Sequence, residues 1–213
     1  MADLILGSTT VMTESSGTVT VGNSNVALST GLSNLGGMFL ISSSSSTSSV
    51  SSVDFDNTVV TPTYKTYILH IDRMRPDNDQ AELYVRLSTN NLTDTSASGF
   101  LSGTTGRMYS QLGGTGTGQE QTTLNSYMQI ATDTGNDANL GVSAEISIYN
   151  SQDTSLSNQI GVKAVCFGKH NSEDYAWWSG AYFAHNKTAM NGIRIQYDGG
   201  TIGFHSVRLY GLK

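Results

Sequence analysis

The feature that most constrains this chain is its content of small, turn-forming residues. Ser (29), Thr (25), Asn (15) and Gly (23) occupy 92 of the 213 positions. These four types are poor helix formers, and Leu, Ala, Glu and Lys are scarce at helical spacing, so helical bundles, coiled coils and α/β folds are excluded. Hydrophobic residues make up 37% of the chain and aromatic residues 8%, which is too much for a disordered protein. The composition therefore predicts a folded, all-β protein.

The charge and the ends of the sequence narrow the classes of function. The formal net charge is −6, so neutralisation of nucleic-acid phosphates is not expected. No apolar run reaches membrane-spanning length, and the N-terminus has only the short apolar stretch Leu4-Ile5-Leu6 after Asp3, which is unlike a signal peptide. The single Cys166 lies in the apolar run 160–168 and is expected to be buried and inert. We expect a protein that folds in a reducing cytoplasm and does not insert into membranes.

Residues 1–37 differ from the rest of the chain. They contain no aromatic residue, no Lys, no Arg and no Pro, and their apolar residues alternate only briefly. Such a segment cannot bury enough apolar surface to build its own core. We therefore predict an N-terminal arm over residues 1–37 and a main domain over residues 38–213, with the arm pairing with the main domain or with a partner protein.

The main domain begins with a low-complexity tract. Residues 42–49 are Ser and Thr only, which is typical of a flexible linker. The tract, however, continues without Gly or Pro from the apolar residues 38–41 into the alternating Val50, Val53 and Phe55. We predict an edge strand here, since Ser and Thr tolerate a solvated sheet face.

Alternation of apolar residues with period two predicts nine or ten short strands, as in a β-sandwich or barrel. The segments around residues 67–75 and 81–88, joined by a polar turn, are predicted to pair as antiparallel neighbours. The turn Asp198-Gly199-Gly200 favours a hairpin between the last two strands. Further strands are predicted at residues 107–112, 126–131, 142–149, 161–167, 177–184, 193–197 and 207–209.

Four stretches of the main domain carry a family resemblance. They are VDF (53–55), YILHIDRMRP (67–76) with AELYVRLST (81–89), AMNGIRIQY (189–197) and the terminal VRLYGLK (207–213). They resemble the jelly-roll domain of bacteriophage tail-fibre and other virion appendage proteins, especially those of marine and cyanobacterial hosts. The resemblance covers about three quarters of the sequence, from residue 48 to residue 213, and it implies no catalytic residues.

The resemblance implies a jelly-roll-like antiparallel β-sandwich that carries an N-terminal extended arm and belongs to a phage virion. We expect a homotrimer, made in the host cytoplasm without a signal peptide, that attaches to other virion proteins through its arm. The leading hypothesis is a tail-fibre or adhesion component that binds a glycan of the host surface. The alternatives are a capsid decoration protein, acting as a cement or head fibre, and a carbohydrate-binding module. None of these is an enzyme.

Sequence patterns for metals, cofactors and catalysis are weak. The four His residues are scattered, no nucleophile-elbow motif is present, and the Gly-rich residues 113–118 lack the ending of a phosphate loop. Asp133, Asp137 and Asn139 supply oxygen ligands that would suit Ca²⁺, but their spacing differs from that of a known calcium loop, so a solvated turn is favoured. No cofactor is expected.

The densest aromatic group lies at residues 175–183. Trp177 and Trp178 are adjacent in a predicted strand and must point to opposite faces of the sheet, so one belongs to the core and the other does not. Core packing and a subunit contact explain such a group without any ligand. The sharper hypothesis is a sugar-stacking platform formed by Tyr175, Trp177, Trp178 and Tyr182.

Overall fold

The computed structural model describes residues 2–6, 9–15, 18–21, 37–96, 99–112, 117–152, 160–170, 174–184 and 188–213. The chain divides into two compact units, Met1–Gly37 and Met38–Lys213. In the first unit, β1 (Ala2–Leu6), β2 (Thr9–Ser15) and β3 (Thr18–Val21) form an antiparallel sheet in chain order. The described strands of this arm are thus extended chain.

The described part of the second unit contains twelve strands, and all of their pairings are antiparallel. The strands are β4 (Met38–Ser46), β5 (Val53–Phe55), β6 (Thr66–Pro76), β7 (Ala81–Ser88), β8 (Gly103–Leu112), β9 (Thr117–Asn125), β10 (Met128–Thr134), β11 (Val142–Tyr149), β12 (Ile160–His170), β13 (Asp174–Ala184), β14 (Gly192–Tyr197) and β15 (Ile202–Leu212).

These strands form two sheets. The larger sheet has the order β4-β15-β6-β11-β12-β13-β8-β9, and the smaller has the order β5-β14-β7-β10. Among the described residues, only the pair Thr134 and His170 connects β10 to β12, so the hydrogen-bonded path between the two sheets is a single bridge there. The prediction of an all-β antiparallel sandwich is confirmed.

The strand order is that of a jelly roll. The hairpins β8–β9 and β12–β13 are left out of this comparison. If the eight remaining strands are numbered 1 to 8 in chain order, the order is 1-8-3-6 in the larger sheet and 2-7-4-5 in the smaller sheet. This is the arrangement of two interlocked Greek keys. The two hairpins are insertions, and both extend the larger sheet beyond β11. The larger sheet therefore has a much wider outer face than the smaller one.

The core lies between the two sheets. In β6 the buried Tyr67, Leu69 and Ile71 alternate with less buried residues, as period two requires. The opposite wall includes Leu83 and Val85 of β7, which are also buried. Burial of these apolar faces stabilises the sandwich by roughly 25 cal/mol for each Å² removed from water.

Two predicted strand pairings are wrong. The strands β6 and β7 do not pair, because β6 lies between β15 and β11 whereas β7 lies between β14 and β10. The strands β14 and β15 likewise belong to different sheets, although Gly199 adopts the positive φ of 60° that a tight turn favours. Alternation identifies the face that a strand buries. It does not identify the neighbour to which the strand bonds, so strands facing each other across the core look the same in sequence as a hairpin.

The Ser-rich tract forms an edge strand, as predicted. Strand β4 is the outermost strand of the larger sheet and pairs only with β15 among the described strands. The Oγ of Ser44 lies 2.9 Å from Nε2 of the buried His205 on β15. Alternate positions of β4 are exposed, which is why Ser and Thr suffice there.

Candidate functional site

Two of the four predicted sugar-stacking residues lie in the core. Trp178 is 1% exposed, and its indole Nε1 donates a hydrogen bond to Oγ1 of Thr132 at 3.3 Å. Tyr182 is 2% exposed, and its hydroxyl donates to the carbonyl oxygen of Leu101 at 2.6 Å. Burial raises the pKa of the Tyr182 hydroxyl. Neither ring can stack on a sugar, so the predicted receptor contact is wrong for these two residues.

The other two predicted residues are placed by their backbone alone. Tyr175 and Trp177 lie in β13, and their side chains are outside the described residues, as is the side chain of Cys166 on β12. The register pairs Trp177 with Phe167 of β12 and Tyr175 with Lys169. The backbone of the predicted platform is therefore adjacent to β12.

The candidate calcium ligands are spread along a strand end and the following loop. Asp133 lies in β10 with a positive φ of 47°, whereas Asp137 and Asn139 lie in the loop before β11. The amide of Leu140 donates to the carbonyl oxygen of Asp137 at 2.9 Å, which closes a turn. Among the residues that the structure describes, no group of three or more His, Cys, Asp or Glu side chains is placed to hold a metal ion.

A depression of about 550 Å³ opens on the outer face of the larger sheet. It crosses β6, β11 and β12, which are adjacent strands. We call it the outer-face groove. Its lining residues are His70, Ile71, Asp72, Ser143, Ala144, Glu145, Val165 and Phe167.

One wall of the outer-face groove is apolar and open to solvent. Phe167 is 61% exposed and Val165 is 41% exposed, while Ala164 on the opposite face of β12 is buried. A large aromatic ring that is mostly exposed on a strand leaves apolar surface in water, and this surface is available to a ligand. The ring of Phe167 is thus the main apolar contact that the groove offers.

The opposite wall is a charged cluster. Arg208 donates to Oδ1 of Asp72 at 2.5 Å, and Ser206 donates to Oδ2 at 3.1 Å. Nδ1 of His70 lies 3.2 Å from both the Asp72 carboxylate and the Arg208 guanidinium. Burial opposes ionisation of Asp72, but the hydrogen bonds from Arg208 and Ser206 outweigh it and lower the pKa of the carboxyl group. Asp72 is consequently an ionised, oriented acceptor at neutral pH.

Glu145 stands between the two walls. Its register partners are Val165 on β12 and His70 on β6, so it lies at the centre of the groove. Its side chain has no hydrogen-bond or ion-pair partner among the described residues. A free carboxylate beside an exposed ring is able to accept hydrogen bonds from the hydroxyl groups of a ligand that packs on Phe167.

The sequence does contain a signal for this site. Within the apolar run 160–168, Val165 and Phe167 have the same parity as Lys163, which is exposed. Residues of the same parity on a strand share a face. The alternation in β12 thus indicates an outward-facing Phe167, whereas the apolar composition of the run as a whole suggests uniform burial.

No family model, curated protein or solved structure matches this chain. Within the described ranges, no helix is long and apolar enough to cross a membrane.

Proposed function

We propose that this chain is a phage virion protein of the tail-fibre or adhesion type, which binds a host-surface glycan through the outer-face groove. The observation that carries the proposal is the exposed ring of Phe167 beside the ionised Asp72 and the free Glu145. The four stretches that resemble phage appendage proteins support the virion setting. The jelly-roll strand order is compatible with it, since jelly rolls occur in both viral and lectin domains.

The chemistry of the groove favours a neutral sugar. The apolar face of a pyranose ring packs on an aromatic ring, and its hydroxyl groups donate to carboxylates. The carboxylate of Glu145 would repel a phosphate or sulfate group, and the net charge of −6 disfavours long-range attraction of polyanions. Recognition by this groove consequently depends on short-range stacking and hydrogen bonds.

The N-terminal arm has a separate role in the proposal. It forms its own compact unit and lies in the part of the chain that has no aromatic residue. We assign it to attachment to other virion proteins and to formation of a homotrimer. The main domain is then the part of the protein presented to the host.

The test compares two exposed phenylalanines of the same sheet. Phe167→Ala removes the ring of the groove, and Phe183→Ala removes a ring that is 48% exposed on β13. Phe183 is six residues along β13 from the register partner of Phe167, a distance of about 20 Å. Adsorption of the purified protein to host cells and to a glycan array is measured for both variants and for the parent.

We expect Phe167→Ala to lose adsorption and glycan binding and Phe183→Ala to keep them. Glu145→Gln, which retains the size of the side chain but loses its charge, should weaken binding without changing the melting temperature. Equal adsorption by Phe167→Ala and the parent would contradict the proposal. A parent protein that binds isolated phage heads but neither host cells nor glycans would favour the capsid decoration alternative.

A further inference from the structure

A second candidate site lies on the opposite side of the sandwich, on the outer face of the smaller sheet. In β7 the buried Leu83, Val85 and Leu87 face the core, so Arg86 faces outward. Arg86 is paired in register with Arg194 of β14. Two guanidinium groups are thereby brought together on the surface of an acidic protein.

Aromatic rings hold the Arg86 guanidinium. Its Cζ lies 5.0 Å from the ring centroid of Phe100 and 5.7 Å from that of Tyr127. Tyr127 stacks on Tyr84, with centroids 4.0 Å apart and ring planes at 15°. These contacts fix the position of the guanidinium through cation–π attraction and packing.

The neighbouring charged groups are engaged elsewhere. Arg194 donates from Nε and from a terminal nitrogen to the two oxygens of Asp54, at 2.8 Å and 2.6 Å, so these two charges neutralise each other. The carboxylate of Glu82 accepts a 2.5 Å hydrogen bond from the hydroxyl of Tyr84. Glu82 also lies four residues along β7 from Arg86, a backbone distance of about 13 Å. Neither carboxylate is thus an ion-pair partner of Arg86.

Arg86 has no carboxylate partner among the described residues. Of its three guanidinium nitrogens, Nε is the one that lies buried without a hydrogen-bond partner. Burial, and then the charge of Arg194, lower the pKa of Arg86. A partly buried charge without a counterion destabilises a fold. Its presence here is explained if a ligand supplies the counterion.

We propose that Arg86 binds the carboxylate of an acidic sugar, such as a hexuronic acid, at a site distinct from the outer-face groove. The single positive charge of Arg86 balances the single negative charge of a carboxylate, whereas a phosphate dianion carries two negative charges. The guanidinium fork binds carboxylates in a bidentate manner through its free nitrogens. Gln129 and Gln196, the register partners of Tyr84 on β10 and β14, place amide groups nearby for the sugar hydroxyls.

The experiment uses the full chain labelled with ¹⁵N and follows the Nε–H resonances of its arginines during titration. The probes are galacturonate, galactose and inorganic phosphate, each at millimolar concentration. Arg86→Met is the test variant, because Met retains packing volume but removes charge and donors. Arg73→Met is the matched control, since Arg73 also lies over an aromatic ring, with its Cζ 4.1 Å from the Phe204 centroid.

We expect galacturonate, but not galactose, to shift the Arg86 resonance. Arg86→Met should weaken galacturonate binding by about tenfold or more, and Arg73→Met and Phe167→Ala should leave it unchanged. Without ligand, Arg86→Met should melt at or above the parent temperature, because it removes an uncompensated charge. Retained binding in Phe167→Ala separates this site from the proposed groove.

Three results would overturn the proposal. These are equal responses to galacturonate and galactose, tighter binding of phosphate than of galacturonate, and a melting temperature of Arg86→Met well below that of the parent. Arg86→Lys is a second test variant, because it keeps the charge and loses the fork. Binding of galacturonate by Arg86→Lys as tightly as by the parent would also overturn it.

Discussion

Replacement of Trp178 by alanine tests whether this residue of the densest aromatic group packs in the core. The indole is 1% exposed. A Trp side chain buries about 150–250 Å², which at roughly 25 cal/mol per Å² corresponds to about 4–6 kcal/mol of transfer free energy, an upper estimate. Core Trp→Ala changes cost about 3–5 kcal/mol in practice. We therefore expect Trp178→Ala to lower the free energy of unfolding by about 4 kcal/mol.

The assay is urea unfolding followed by far-ultraviolet circular dichroism, because removal of one of only two Trp residues alters the fluorescence signal itself. A loss of about 4 kcal/mol lowers the melting temperature of a domain of this size by about 10 °C. The comparison is Phe167→Ala, whose ring is 61% exposed and whose loss should cost less than about 1 kcal/mol. Equal destabilisation by the two changes would refute the assignment of Trp178 to the core and Phe167 to the surface. Trp178→Phe provides the same comparison if the alanine variant does not fold.

Three further predictions concern the sheets and the arm. Asp54→Asn weakens one hydrogen bond from Arg194 and removes the other, because the amide nitrogen is a donor. The Arg194 side chain is 12% exposed, so the change should lower the free energy of unfolding by about 2 kcal/mol in urea titrations; an unchanged midpoint would contradict this. Burial lowers the pKa of His205 in the folded protein. As the pH drops from about 6.5, His205 is therefore protonated in the unfolded chain before it is protonated in the folded one, and the stability should fall until the pH reaches the folded pKa. His205→Gln should flatten that part of the curve of melting temperature against pH, and an equally steep curve would exclude His205 as its source. Deletion of residues 1–37 should leave a soluble domain that unfolds cooperatively but elutes as a monomer in size-exclusion chromatography with light scattering, whereas a trimeric truncated protein would locate the trimer contact in the main domain.

The sequence alone determined the fold class and most of the strands. Abundant Ser, Thr and Gly exclude long helices, and period-two alternation identifies buried faces such as that of Tyr67, Leu69 and Ile71. Strand β9 contains only one strongly apolar residue, Leu124, and it escapes prediction because it lacks that alternation. Such local patterns involve only consecutive residues, so they can be recognised in the sequence itself.

The tertiary structure decided which strands pair and which aromatic residues reach solvent. Strands β6 and β7 present the same alternation whether they are hydrogen-bonded neighbours or opposite walls of one core. As aromatic residues of a strand-forming segment, Trp178, Tyr182 and Phe167 cannot be told apart by residue type. In the structure, Trp178 and Tyr182 are buried in the core, whereas Phe167 is exposed on the outer face. Arg86 has no carboxylate partner in the described part of the chain, where Asp54, 32 residues earlier, pairs with Arg194 instead. Pairing, burial and charge balance depend on residues distant in the chain, and only the folded arrangement brings them together.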